Sequence, residues 1–250
     1  MISFPSDYSV VRKLMDGFAS KVYICEKDGT KYICKRIIDR SFRMEEMNNA
    51  NAINSDRVST IIDYHKIKSI FGTYHYLFME YYPNTIDVFD YVCEKNINEK
   101  VIKPFIKEMC LAIKDCHKAG IVHLDIKGEN FIIISLVPLR LKLIDFGASH
   151  RFYENISLNR YFGTLLYCSP EIKRNTFSFS SDLWSLGAWI YYVIVNKYTF
   201  ENKKINTSYF IEKEPCFSDD LKKLLVKIMQ YDPKKRPTIE EVLDDPWFCN

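Results

Sequence analysis

Asp125 and Lys127 in His123-Leu124-Asp125-Ile126-Lys127-Gly128-Glu129-Asn130, together with Asn130 and the later Asp145 of Asp145-Phe146-Gly147, are the residues of this chain best arranged for chemistry. An acid, a cation, an amide and a second acid in that order can surround the terminal phosphate of a nucleotide. Asp125 would take or orient the proton of an attacking hydroxyl. Lys127 would offset charge on the moving phosphoryl group, and Asn130 with Asp145 would hold magnesium. Two apolar runs lie between the motifs, Phe131 to Ile134 and Leu139 to Ile144, broken at Pro138. They predict a β-hairpin that presents both motifs on one edge.

The elements that must position these groups change character along the chain. Residues 8 to 38 read as three strands, the last entered through Asp28-Gly29, a pair that favours a tight hairpin. Residues 42 to 54 predict a short helix, Leu77-Phe78-Met79 a buried strand, and Glu80 to Ile86, with Pro83-Asn84, a linker. Beyond it, Val101, Ile102, Phe105, Ile106, Met109, Ile113 and Cys116 recur at helical steps and predict a long amphipathic helix stopped by Gly120. Leu221, Leu224, Leu225, Ile228 and Met229 repeat the pattern behind a Ser218 cap, and Thr238-Ile239-Glu240-Glu241 is a capping box. The expected class is therefore α+β, strands first and helices after.

Composition narrows the setting. A chain of 250 residues with 47% hydrophobic content can bury a substantial core. A net charge of +3 gives no nucleic-acid footprint. The eight cysteines are scattered without a C-x-x-C pair, and Met1-Ile2-Ser3-Phe4-Pro5 is not a basic-then-apolar leader, so an intracellular setting, cytoplasmic or nuclear, is expected. Apolar stretches such as Leu186 to Val195 are shorter than the roughly 20 residues of a membrane span and read as core. Abundant Lys, Asn, Ile and Tyr suggest an AT-rich genome, a virus or a protist.

From about Tyr8 to Phe248 the chain resembles the eukaryotic protein kinases of serine/threonine type. The resemblance implies a bilobal fold, with residues 1–80 as the small lobe, 81–86 as the hinge and 87–250 as the large lobe. It implies ATP with Mg2+ or Mn2+ as cofactors. Lys35 of Tyr32-Ile33-Cys34-Lys35 matches the lysine that grips the α and β phosphates, and Glu46 its helix partner, with Glu45 open as the alternative. Met15, Gly17, Val22, Ile33, Met79 and Ile132 fall among the residues around the nucleotide, and Glu80 and Tyr82 at the adenine contacts of the hinge. Gly163-Thr164 and Ser169-Pro170-Glu171 match the end of the activation segment, Arg236 the partner of Glu171, and Asp182 the residue that braces the catalytic loop. The pattern is nearest to calcium/calmodulin-kinase-like members, the Pim kinases among them, through Phe89-Asp90-Tyr91, Leu143 to Gly147 and Asp245 to Phe248. Asp87, Asp90 and Glu129 occupy places where such kinases keep acids that attract basic residues beside the target hydroxyl, so a Ser/Thr protein substrate with nearby Lys or Arg is implied.

Three departures stand out. Met15-Asp16-Gly17-Phe18-Ala19-Ser20-Lys21-Val22 keeps only the middle glycine of the family's phosphate loop, and Met15, Ser20 and the charge of Asp16 could hold phosphate away. Ile33 stands where a small residue packs on adenine. Leu124 stands where most members carry an arginine that receives an activation-loop phosphate, which implies independence of that phosphorylation. A catalytically weak or inactive scaffold therefore stays open beside the active kinase. Oligomeric state is not legible.

Overall fold

The computed structural model describes residues 4–17, 20–95, 98–153, 157–158, 161, 163–196 and 207–249. Phe18 and Ala19 of the eroded loop lie outside the described residues. The chain divides into two compact units, 1–52 with 59–84, and 53–58 with 85–250.

The first unit contains β1 (Ser9–Asp16), β2 (Ser20–Lys27), β3 (Thr30–Ile38), α1 (Met44–Ala52), β4 (Ile61–Ser69) and β5 (Gly72–Glu80). The five strands form an antiparallel sheet in the order β1-β2-β3-β5-β4. At the β2–β3 turn both Asp28 (φ 52°) and Gly29 (φ 74°) are left-handed, as the tight hairpin demands. Alternation along the strands divides the sheet into two faces. One is an aromatic layer of Tyr8, Tyr23, Tyr76 and Phe78 with Cys25 and Cys34, and Tyr8 stacks on Phe78 at 3.7 Å. The other carries Val22, Ile33, Lys35 and Met79. Strand β4 was not foreseen. Its Asp63 and His65 break the apolar alternation, because they bond each other at 3.1 Å and Asp63 accepts from the Tyr8 hydroxyl at 2.8 Å.

The second unit holds α2 (Val88–Cys93), α3 (Glu99–Lys118), β6 (Ile121–Val122), β7 (Phe131–Leu136), β8 (Leu139–Leu143), β9 (His150–Arg151), α4 (Phe179–Val195), α5 (Thr207–Lys213), α6 (Asp219–Ile228) and α7 (Ile239–Leu243). The short piece 53–58 belongs here because Leu143 N–H donates to the Arg57 carbonyl at 2.8 Å and Ser55 Oγ to Asp115 at 2.6 Å. Helix α3 buries Ile102, Phe105, Ile106, Met109, Ile113 and Cys116 and ends before Gly120, whose φ of 73° a side chain would resist. β7 and β8 form the expected antiparallel hairpin. Ser218 caps α6, and Thr238 with Glu241 makes the capping box of α7. Helix α4 is buried almost all round, which is why it reads as a continuous apolar run instead of a stripe. Among the described residues no helix is long and apolar enough to cross a membrane, and all eight cysteines are free thiols.

Candidate active site

Strand register alone gathers part of the proposed nucleotide site in the first unit. Met15 pairs with Val22, Val22 with Lys35, and Ile33 with Met79, so these five side chains share one face of the sheet. Lys35 Nζ donates to Glu46 Oε1 at 2.6 Å, and both side chains are largely shielded from water. Glu46 is buried and Glu45 exposed, so α1 turns the former toward the lysine. The connection from β3 to α1 is short and pinned by a residue that sequence reading passed over. His75 of β5 bonds Asp39 at 2.8 Å and the Tyr64 hydroxyl at 2.8 Å, while Phe42 stacks on its ring at 3.7 Å. A histidine in a strand gave no sign of this; the shortness of the 36–43 connection was the available clue.

Asp16 does not present the bare negative charge expected of it. Lys13 and Lys21 each approach its carboxylate to 2.7 Å, and their hydrogen bonds lower its pKa to about 2. The turn between β1 and β2 is closed by Gly17 N–H donating to the Ser20 carbonyl at 2.9 Å. A Cβ at Gly17 would stand 3.0 Å from that oxygen, so the surviving glycine is the one this turn uses. At the far edge of the unit the Tyr82 hydroxyl donates to the Glu80 carboxylate.

In the second unit the motif 123–130 is built around Asp125. Its Oδ1 accepts from the Thr164 backbone N–H at 2.7 Å, and its Oδ2 from Asn130 Nδ2 at 3.0 Å, with Lys127 Nζ at 3.3 Å. Lys127 also donates to Thr164 Oγ1 at 2.7 Å. Asn130 Nδ2 makes a second bond to the Asp125 carbonyl at 2.7 Å, so its amide nitrogen is committed to Asp125. Asp145 enters through the Ile144 N–H to Asn130 carbonyl bond of 2.9 Å, one residue upstream. It adopts a left-handed φ of 62°, and its Oδ1 accepts from Gly147 N–H at 3.0 Å. Ile132 of β7 is half-buried beside the Asp87 bridge.

The loop is held from beneath. Asp182, fully buried on α4, accepts from the backbone N–H of His123 at 2.9 Å and of Leu124 at 2.8 Å, and bonds His117 at 2.9 Å. Glu171 and Arg236 meet as expected, through two bonds of 2.7 and 2.8 Å. Burial works against the charge of Glu171, yet Arg236 and Ser181 hold its carboxyl below the ordinary value.

A second group of acids gathers nearby. Asp87 caps α2 by accepting from Asp90 N–H at 2.8 Å, and Glu129 has one carboxylate oxygen that is buried and makes no hydrogen bond. Burial pushes the pKa of both Asp87 and Glu129 up; the charge of Asp90 adds to the rise at Asp87, and those of Asp87 and Asp125 at Glu129, where Lys127 works against it. Asp90 is exposed.

Residues 8–248 match the protein kinase domain family. A probable serine/threonine-protein kinase, fhkC of Dictyostelium discoideum, is 30% identical over 93% of the chain and 42% of its own length. An Aurora kinase of Debaryomyces hansenii is 29% identical over 98% of the chain and 62% of its own. The serine/threonine-protein kinase pim-2 of Danio rerio is 30% identical over 65% of the chain and 53% of its own. The chain thus spans less than two thirds of the length of each of these relatives. With an antiparallel five-stranded unit followed by a helical one, and with that match over almost its whole length, the chain belongs to the protein kinase family and has its α+β fold.

Proposed function

We propose that this chain is a serine/threonine protein kinase domain that moves the γ-phosphate of ATP to hydroxyls flanked by basic residues. The observation that carries the reading is the state of Asp125. One of its oxygens is anchored by Thr164 N–H at 2.7 Å, and the other faces Asn130 and Lys127. A carboxylate so fixed can accept the proton of an incoming serine or threonine hydroxyl and orient it for in-line attack. Lys127, tied to the Thr164 hydroxyl, stands within reach of the same oxygen and offsets negative charge that moves toward the attacking side. Lys35, kept in place by Glu46, would grip the α and β phosphates.

The amide oxygen of Asn130 and the carboxylate of Asp145 are hard oxygen donors, the kind that suits Mg2+ and equally Mn2+. A divalent ion held there would neutralise charge on the β and γ phosphates. The chain's own part is to keep Asn130 turned by its two bonds to Asp125, and Asp145 by its left-handed backbone.

Preference for basic residues is supported by Asp87, Asp90 and Glu129. Glu129 adds a carboxylate close enough to feel the charge of Asp87, and together these acids would attract a guanidinium arriving from a substrate. Independence of activation-loop phosphorylation is part of the same proposal, since Leu124 supplies no charge to receive a phosphate. The free thiols suit a reducing, intracellular setting.

The competing reading, a scaffold without catalysis, draws on Met15 and Ile33 at the nucleotide face. Transfer of γ-phosphate from Mg-ATP to a degenerate serine/threonine peptide library, with Asp125→Asn alongside, separates the two. Transfer to peptides rich in Arg or Lys that vanishes in the variant supports the kinase. Transfer no greater than the variant's, in folded protein, would sink it.

A further inference from the structure

Leu124 is a point at which the loop 123–130 meets the activation segment at Tyr161 and Gly163, its docking segment, and every group it offers is engaged. Its N–H is held by Asp182 at 2.8 Å. Its side chain is 2% exposed in a cluster with Val122, Leu158, Ile172 and Phe177, against which Tyr161 packs. Its carbonyl accepts from the Tyr161 hydroxyl at 2.9 Å. Its φ of 64° is left-handed, a conformation that a branched side chain resists and that persists only where neighbours hold it.

Gly163 completes the joint. A Cβ there would fall 2.4 Å from the Leu124 carbonyl oxygen and 2.4 Å from the Tyr161 hydroxyl, so no other residue lets the segment approach so closely. One residue further, Thr164 N–H reaches Asp125. The phenol, the glycine and the threonine therefore form consecutive links from the docking segment to Leu124 and Asp125, and the first of them carries no charge.

We propose that Tyr161 is a positioning residue: its hydroxyl, bonded to the Leu124 carbonyl beside an apolar cluster, latches the docking segment onto the catalytic loop and sets Asp125 without any phosphate on the segment. The latch acts through Leu124 and Gly163; Tyr161 touches no reacting atom. Burial pushes its phenol well above the ordinary tyrosine range, which favours the protonated, donating form. For its catalytic consequence the proposal rests on the kinase reading above.

Tyr161→Phe removes only the hydroxyl and leaves the ring in its cluster. Two measurements on the full chain test it. In peptide phosphorylation the variant's kcat is expected to fall about three- to tenfold, the worth of one neutral hydrogen bond, with the KM for ATP unchanged. In hydrogen exchange, the amides of 163–168 lose protection while those of α4 keep theirs. Wild-type protein treated with a broad-specificity protein phosphatase keeps its rate. Wild-type kcat and wild-type exchange in Tyr161→Phe would overturn the latch, and so would loss of activity on dephosphorylation of the segment. Should wild-type protein transfer no more phosphate than Asp125→Asn, the kinase reading falls, and the exchange measurement then decides the latch by itself.

Discussion

Trp189 and Gly128 are packed so closely that a Cβ on the glycine would lie 2.2 Å from Cζ2 of the indole. The glycine belongs to the catalytic loop, between Lys127 and Asn130, and the tryptophan to the buried helix α4, where it is 0% exposed. The indole is thus the floor on which the loop rests, and the backbone N–H of Phe89, 3.0 Å from the same imagined Cβ, closes the other side.

Gly128→Ala is therefore expected to act as overpacking, a destabilisation of about 1–3 kcal/mol, and to lower kcat by displacing Lys127 and Asn130. Trp189→Leu in the same chain should recover part of both losses by making room. Thermal melts and kcat for the two single variants and the double variant measure the coupling. Additive effects would mean that the loop does not rest on Trp189.

Arg236 and Glu171, 65 residues apart in sequence, form the most buried ion pair among the described residues, with side chains 0% and 3% exposed. Arg236 also bonds the backbone carbonyls of Gln230 and Ser180. Arg236→Met leaves a buried carboxylate without its partner and should cost about 3–5 kcal/mol, a fall in melting temperature on the order of 10 °C. The carboxyl of Glu171 is held below its reference value of 4.5 in the folded protein. Its contribution is present at neutral pH and is lost as pH falls below that reference toward the folded value. Glu171→Gln should flatten this part of the acid limb of stability against pH, and an unchanged limb would remove the pair from the account.

Much of this architecture is legible in the residues. The Asp-Gly turn, the helical repeat from Val101 to Cys116, the hairpin around Pro138 and the caps at Ser218 and Thr238 are local signals, and each lies where local chemistry puts it. The pairings of Lys35 with Glu46 and of Glu171 with Arg236 are not local; they were reached through the family pattern. What escaped was long-range and carried by residues whose type does not announce it. His75 looks like an ordinary strand residue until Asp39 and Phe42 are brought against it, and Tyr161 like an ordinary activation-segment hydroxyl until it meets a backbone carbonyl. The charge of Asp16 was read singly, whereas strand pairing sets Lys21 directly across from it.

That neutralised aspartate leads to a prediction about the eroded loop. Asp16→Asn would release Lys13 and Lys21, two half-exposed cations on the turn proposed to cover the phosphates. Surface pairs of this kind are worth little to stability, so the fold should be unaffected. ATP binding should tighten by about two- to fivefold, and the gain should shrink with added salt because the new attraction is screened. Titration calorimetry at low and high ionic strength measures both. An unchanged dissociation constant would place the weakness of the loop in the bulk of Met15 and Ser20 instead.

The proposed attraction of Asp87 and Glu129 for basic substrates would depend on pH. Burial disfavours their charged forms and raises both pKa values. A raised carboxylate becomes neutral at a higher pH than an ordinary one, so attraction for a substrate cation fades as pH falls. The fading begins above the ordinary carboxylate range of about 4. The measured quantity is the ratio of kcat/KM for a peptide with upstream arginines to kcat/KM for its neutral counterpart, which cancels the pH dependence of the chemical step itself. That ratio should decline as pH is lowered from neutrality toward 5. In Glu129→Gln it should be smaller at neutral pH, by about tenfold if one charge-assisted hydrogen bond of about 1.5 kcal/mol is lost, and less steep with pH, the remaining dependence being that of Asp87. A ratio that is large and independent of pH in both proteins would show that the basic residue is read elsewhere.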